Sequence, residues 1–383
     1  GFDEFYGHLH TEVGFYPPFA NLGGKDFQRN GKSIDDQGYE TYLLANETSQ
    51  YIKKRDKDRP FFLYIPFLAP HEPLDAPESL KAKYQHLKDN RPDARSPSDE
   101  MSKSAKAAGF KSRVPLYAAV VDAMDQAVGQ VLTALDEEGV ADNTIVLFFS
   151  DNGASRVFTQ GGGDNAPYRG GKAEVYEGGI RVVSLLRWPD KIKAGQKLDQ
   201  MMTVMDVFPT LAAATGVTPK NTYEFDGLNM WPAIETGVKV KREGLIHFGS
   251  EIPNYGSFKF AAIDEDWKLV QFVEQGLTET KVRNELFNIK ADPGEYKNLA
   301  ELHADRVEKM SASIMAWREL HPVNGVRSRL AAPPGWHAPL DWADYPRPDV
   351  SLQAQPAKSM APTDGIMARL DALLGERGRI IYN

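Results

Sequence analysis

The chain has 383 residues, 45 Lys and Arg against 53 Asp and Glu, a formal net charge of −8 and no cysteine. Disulfides, zinc–thiolate sites and cysteine nucleophiles are therefore excluded within these residues, and the acidic balance argues against nucleic acid as a partner, since phosphate neutralisation needs clustered Lys and Arg. Apolar residues make up 42% and charged residues 26%, as in an ordinary globular protein, and the longest strongly apolar stretch, Phe61 to Pro70, is about half of a membrane-spanning helix.

At roughly 150 residues per domain the length suggests one large domain and a smaller one. Thr41 to Arg55 carries Leu44, Thr48, Tyr51 and Ile52 at helical spacing and ends in Lys53-Lys54-Arg55, as a helix C-terminus favours. Phe61-Phe62-Leu63-Tyr64-Ile65, stopped by Pro66, reads as a strand buried on both faces, the kind found in parallel sheets. Residues 88–113, rich in Lys, Asp, Ser, Arg and Pro, read as an exposed loop. Pro115 through Glu138 sets Tyr117, Val120, Val121, Met124, Val128, Val131, Leu132 and Leu135 on one helical stripe, with Gly139 as a stop. Ile145 to Phe149 makes a second buried strand, and the helix–strand pair is half of a βαβ unit. Ile180 to Trp188 reads as a third strand, and Asp206 to Thr215 as a short helix with Pro209 in its first turn and Gly216 after it.

Beyond Gly244 the texture becomes α+β, with strands expected in Lys259–Val273 and Glu285–Ile289 and a helix over about Arg306–Leu320. A boundary near 240 follows, giving an α/β domain over 1–240, an antiparallel-sheet and helix domain over 241–320, and a Pro-rich extension over 321–383 that includes a helix-like piece at Gly365–Leu374. No internal repeat is present.

Four residues stand out chemically. Asp151 and Asn152 follow a strand, where ligands of open α/β sheets bind, and a carboxylate beside an amide oxygen supplies two hard donors suited to Ca²⁺ or Mg²⁺. Asp-Asn-Gly is equally an ordinary turn sequence. His71, in Ala69-Pro70-His71-Glu72-Pro73, is aimed by its prolines and suits donation to an oxyanion or a leaving group; a lone loop histidine can also be a plain surface residue. Lys172 follows Arg169-Gly170-Gly171, where glycines allow close backbone approach and an ammonium would stabilise developing negative charge; otherwise it is a solvated lysine. It belongs to no phosphate-binding P-loop, because Ala173 stands where Ser or Thr is required. Asp35-Asp36 offers a metal-binding pair but, with no buried strand before it, reads as loop; Asp122 and Asp125 on the long helix read as capping or salt-bridge residues sooner than as cleft residues; and His8 and His10, two apart, could share a face but have no third ligand nearby.

Seven segments in one order resemble the formylglycine-dependent sulfatases, especially the arylsulfatase B-like branch. They are Gly1-Phe2-Asp3-Glu4-Phe5-Tyr6-Gly7; Phe61-Phe62-Leu63-Tyr64 leading to His71-Glu72-Pro73-Leu74; Met124-Asp125-Gln126-Ala127-Val128-Gly129; and Ser150-Asp151-Asn152-Gly153. Arg169-Gly170-Gly171-Lys172 with Glu177-Gly178-Gly179-Ile180-Arg181, then Asp206-Val207-Phe208-Pro209-Thr210-Leu211, and Glu285-Leu286-Phe287-Asn288 with Asp292-Pro293, Glu295 and Asn298-Leu299 complete the set.

The resemblance implies an alkaline-phosphatase-like α/β fold, a mixed sheet flanked by helices, with a smaller C-terminal α+β domain. It implies hydrolysis of sulfate monoesters of sugars or aryl groups, Ca²⁺ held by Asp151 and Asn152, and His71 and Lys172 in contact with the sulfate or its leaving oxygen. It also implies export to the periplasm or beyond, although no leader is visible here, and it sets no oligomeric state. The family's nucleophile, a formylglycine made in a C/S-x-P-x-R motif, has no counterpart: none of the 25 prolines has Ser or Cys two residues before it. The family's paired metal aspartates and a Lys-x-His also lie before the Gly-Phe-Asp segment. The expectation is therefore the C-terminal portion of a sulfatase, inactive by itself. The alternatives are a non-catalytic sulfatase-like binding protein and a related phosphonate monoester hydrolase or phosphodiesterase.

Overall fold

The computed structural model describes residues 2–9, 14–17, 26–89, 112–155, 162–220, 224–251, 257–275 and 280–320. The Pro-rich extension with its helix-like piece, most of the loop at 88–113, and His10 lie outside them.

Three two-residue strands, β1 (Tyr6–Gly7), β2 (Gln28–Arg29) and β3 (Lys32–Ser33), form a small antiparallel sheet beside helix α1 (Glu40–Lys54). Glu40 in the first turn and Lys53 and Lys54 in the last complement the helix dipole. After α2 (Glu78–Tyr84) comes α3 (Val114–Glu137), opened by Pro115 and followed by Gly139 at φ +66°. The fully buried line on α3 is Ala119, Val120, Ala123, Ala127, Ala134 and Leu135, more alanine-rich than the stripe of large residues expected. Small side chains there let α1 approach closely, and Ala45 and Ile52 of α1 are completely buried.

The strand expected at 61–65 is not one. Phe61 and Leu63 pack on Ile52 and Leu135, whereas Phe62 and Tyr64 are about two-thirds exposed. Residues 61–68 join no ladder among the described residues, and without a neighbour on each edge an apolar run alternates between faces instead of being enclosed. Strand β4 (Val146–Phe149) does form, but it pairs antiparallel with β5 (Ser184–Arg187), in the register Val146↔Arg187 to Phe149↔Ser184. The parallel βαβ partner expected for it is not found among the described residues. Only the second half of the strand expected at 180–188 is strand, because Glu177–Ile180 winds into a single helical turn, α4.

Helix α5 (Val207–Thr215) ends at Gly216, whose φ of +70° is the left-handed stop that the sequence calls for, and α6 (Trp231–Thr236) follows. A four-stranded antiparallel sheet then runs β6 (Ile246–Glu251), β7 (Ser257–Asp264), β8 (Trp267–Gln275) and β9 (Thr280–Asn288) in sequential order. The segment expected as one strand from 259 to 273 is a hairpin, since Asp264 pairs with Trp267 across Glu265-Asp266. No glycine marks that turn; Glu265 itself takes φ +54°.

Both faces of this sheet are apolar. Phe260, Ala262, Leu269 and Leu286 pack on Met310 and Ile314 of α7 (Ala304–Arg318). Ala261, Val270 and Phe272 pack on Val175 and Tyr176, which belong to the segment just after Lys172. The second core thus ties the C-terminal sheet to the loop that carries the candidate site.

Candidate active site

His71 sits where the chain turns after residues 61–68, its backbone N–H donating to the Leu68 carbonyl at 2.8 Å. Its Nδ1 is 2.6 Å from the Glu72 carbonyl. A carbonyl can only accept, so Nδ1 carries the proton and Nε2 presents a lone pair. Lys172 Nζ lies 2.6 Å from that Nε2 and donates to it.

Lys172 stands at the tip of a tight turn, Gly171–Glu174, closed by Glu174 N–H to Gly171 C=O at 2.9 Å. Ala173 takes φ +67° there, and the buried Glu174 carboxylate accepts the Gly171 N–H at 3.0 Å. The turn is held against the loop after β4 by Lys172 N–H to Ala154 C=O at 3.2 Å. Asn165 completes the joint: its Oδ1 accepts the Ala154 N–H, and its Nδ2 donates to the Ala154 and Gly170 carbonyls, all at 2.9–3.0 Å.

Glycines allow the three loops to meet backbone to backbone. A Cβ on Gly153 would lie 1.7 Å from the Gly178 carbonyl oxygen, one on Gly178 2.3 Å from that of Gly170, and one on Gly179 2.0 Å from that of Glu174. Gly153 N–H donates to Gly179 C=O at 2.9 Å, and Gly178 N–H to Arg169 C=O at 2.7 Å. Arg169 in turn reaches Glu285 of β9 at 3.1 Å, and the Tyr176 hydroxyl donates to the same carboxylate at 2.8 Å. Burial pushes the Tyr176 hydroxyl pKa up.

Asp151, exposed, and Asn152, half-buried, form the crest of the same joint. Asp151 Oδ1 accepts the Asn152 N–H at 2.8 Å, and Asn152 Nδ2 donates to Gly153 C=O at 3.0 Å. Those bonds use one carboxylate oxygen and the amide nitrogen, leaving Asp151 Oδ2 and Asn152 Oδ1 as acceptors without a hydrogen-bond donor among the described residues. Two hard oxygens suit Ca²⁺, which takes six to eight oxygens, but supply only part of its shell. No group of three or more His, Asp and Glu side chains among the described residues is arranged for a metal.

The chain thus brings His71 and Lys172 into direct contact and sets the Asp151-Asn152 loop one hydrogen bond away. Three of the other titratable candidates serve structure: Asp36 accepts the Tyr6 hydroxyl at 2.8 Å, Asp122 takes Lys83 at 2.6 Å, and His8 faces the buried Glu40 at 3.6 Å. Sequence reasoning missed Asn165 and Glu174, and it met Glu285 only as part of a motif, without its role in bracing Arg169 and Tyr176. Asn165 sits in a turn-rich stretch where Asn is unremarkable, and no spacing singles it out.

A family model described as Sulfatase matches residues 1–217. The chain belongs to the sulfatase family. A second family model, N-sulphoglucosamine sulphohydrolase, C-terminal, matches residues 171–319 of this sulfatase chain. It is 34% identical to steryl-sulfatase of Homo sapiens over 214 residues, 54% of this chain and 32% of that protein. N-acetylgalactosamine-6-sulfatase of Homo sapiens is 30% identical over 249 residues, 62% of this chain and 42% of that protein. The sulfatase chain therefore spans about a third to two-fifths of the length of these two relatives. Among solved structures, Ps i-CgsB in complex with k-i-k-neocarrahexaose superposes with a TM-score of 0.68 at 25% identity, covering 97% of this chain and 72% of that one. Phosphonate monoester hydrolase of Agrobacterium radiobacter, at a TM-score of 0.54 and 20% identity over 76% of this chain and 65% of that one, shares the fold. The fold of this sulfatase chain is accordingly the alkaline-phosphatase-like α/β fold that its sequence motifs imply. Among the described residues no helix is long and apolar enough to cross a membrane.

Proposed function

We propose that this chain supplies the sulfate-binding and leaving-group side of a sulfuric ester hydrolase. The observation that carries the reading is the 2.6 Å contact between Lys172 Nζ and His71 Nε2, set beside the Asp151-Asn152 crest. A sulfate monoester needs its non-bridging oxygens held by positive charge and its departing oxygen protonated or charge-stabilised. The Lys172 ammonium, already aimed by its turn, meets the first need by exchanging the His71 lone pair for a sulfate oxygen. His71 meets the second once Nε2 carries a proton, with Nδ1 kept oriented by the Glu72 carbonyl. Asp151 Oδ2 and Asn152 Oδ1 would hold a Ca²⁺ ion, which supplies further positive charge to the sulfate oxygens.

Sulfated sugars are the substrate class we favour. Support comes from the k-i-k-neocarrahexaose bound to Ps i-CgsB, a 25% identical structure, and from human N-acetylgalactosamine-6-sulfatase, a 30% identical relative. We place the site of action outside the cytoplasm, in the periplasm or beyond, as the family resemblance implies.

Since no Ser or Cys stands two residues before any of the 25 prolines, these 383 residues hold no precursor of the family's nucleophile. The purified chain is expected to bind inorganic sulfate, more tightly with Ca²⁺ present, and to release no 4-nitrophenol from 4-nitrophenyl sulfate. Calorimetry with wild type, Lys172→Ala and His71→Ala, alongside the colorimetric assay, tests both halves. Turnover by the chain itself, or sulfate affinity indifferent to both substitutions, would overturn the reading.

A further inference from the structure

Behind the candidate site lies a buried ion cluster with no part in the chemistry proposed above. Lys268, on β8, is completely buried, and its Nζ lies 2.9 Å from Glu295 Oε1 and 3.1 Å from Glu177 Oε1. Glu295 and Glu177 are only 2% and 3% exposed. The remaining Glu295 oxygen, Oε2, accepts the backbone N–H of Glu177 at 2.8 Å. Desolvating three charges costs several kcal/mol per ion, and such a cluster is often no more stable than apolar residues of equal volume. Its worth must then lie in what it holds in place.

What it holds is the first residue of the Glu177–Ile180 turn. From there the connections are continuous. Gly178 N–H donates to Arg169 C=O, fixing the strand of chain that leads to Lys172, and Gly179 C=O accepts from Gly153 N–H, fixing the Asp151-Asn152 crest. Both sides of the candidate site therefore hang on one helical turn, gripped by Lys268 of the C-terminal sheet and by Glu295 of the turn that follows β9. Glu177 is also 3.4 Å from Arg181, so its second oxygen is engaged as well.

We infer that Lys268, on the C-terminal sheet, and Glu295, in the turn after it, are positioning residues, which set the placement of Lys172 against His71 by clamping Glu177. The inference rests on the proposed sulfate-binding role of Lys172 and adds a second element to it: the C-terminal sheet is part of the site's machinery and not only a neighbouring domain. Glu295→Ala removes both the partner of Lys268 and the acceptor for the Glu177 N–H, whereas Glu295→Gln keeps the acceptor.

The test uses the full chain, inorganic sulfate as the probe, and the ¹⁵N resonance of His71 Nε2, which reports whether Lys172 donates to it. In Glu295→Ala the Nε2 resonance is expected to move toward its position in Lys172→Ala, and sulfate affinity to fall about tenfold, the equivalent of one charge-assisted hydrogen bond. Glu295→Gln is expected to recover most of both. Should Glu295→Ala fail to fold, Lys268→Met/Glu295→Met removes the clamp at matched volume, leaves Glu177 to Arg181, and carries the same two readouts. A folded clamp variant with the wild-type Nε2 resonance and sulfate affinity overturns the inference, as does equal loss in Glu295→Ala and Glu295→Gln. Wild-type affinity in Lys172→Ala overturns the sulfate-binding role too; loss there with none in Glu295→Ala overturns the clamp alone.

Discussion

Lys172 and His71, 101 residues apart in sequence, meet at 2.6 Å between ammonium and imidazole. The contact occupies the one basic lone pair of His71, because Nδ1 is committed to the Glu72 carbonyl. Reagents that acylate a neutral imidazole must therefore compete with Lys172. In Lys172→Met, His71 is expected to react with diethyl pyrocarbonate several-fold faster than in wild type, read by peptide mass spectrometry. Equal rates would mean that the lysine does not rest on the ring.

The glycines of the joint separate packing from flexibility. Gly153 faces the Gly178 carbonyl so closely that Gly153→Ala has no room, and it is expected to cost about 3 kcal/mol or more, as overpacking against backbone does. Gly129, exposed in the middle of α3, has nothing within 4 Å of a built Cβ. Gly129→Ala is expected to stabilise the chain by about 0.5–1 kcal/mol through the unfolded-state entropy it removes. Urea unfolding of both variants checks the pair, and a similar sign in both would contradict the packing argument.

The long helices were legible because their signals are local. Charge at the ends of α1, Pro115 at the start of α3 and the left-handed glycines after α3 and α5 each act within one turn. The strands were less so, since a strand is defined by its neighbours. Phe61–Ile65 and Val146–Phe149 are similar runs, yet only the second finds a ladder. The turn at Glu265-Asp266 carried no glycine signal, so β7 and β8 read as one. Among site residues, the motifs pointed to His71, Lys172, Asp151 and Asn152, but the residues that brace them are scattered over a hundred positions or more, as in the pairs Arg169–Glu285 and Tyr176–Glu285. Lys268 did leave a trace: it shares strand parity with the buried Val270 and Phe272, a place where a lysine needs a partner.

Asp206 shows what a satisfied buried charge requires. It is fully buried, takes both oxygens to within 2.6 Å of Arg242 Nη2, and accepts the Thr203 and Leu228 N–H groups at 2.7 Å each. Arg242→Met strands the carboxylate and is expected to cost about 3–5 kcal/mol. Arg242→Met/Asp206→Asn should recover part of that, since the amide carries no charge to strand. Thermal unfolding of the single and double variants decides it; a double variant no better than the single would show that the Thr203 and Leu228 N–H groups, which take one oxygen each, need the carboxylate more than the carboxylate needs Arg242.

His247 on β6 gives the chain a pH dependence with a definite sign. Its ring stacks on Trp317 of α7, centroids 5.3 Å apart and 9° from parallel, and its Nε2 is 3.0 Å from Ser313 Oγ. Burial lowers its pKa below the ordinary 6.5. A depressed histidine stays neutral in the folded chain while the unfolded chain takes up a proton, so stability falls as pH drops through about 6.5 and goes on falling to the folded-state pKa. His247→Phe keeps a ring on Trp317 and removes the titration. Between pH 7 and pH 5 the variant is expected to lose less unfolding free energy than wild type. Parallel pH profiles would show that the stacked ring titrates at its ordinary value, with the Trp317 face open to water and not sealed by α7.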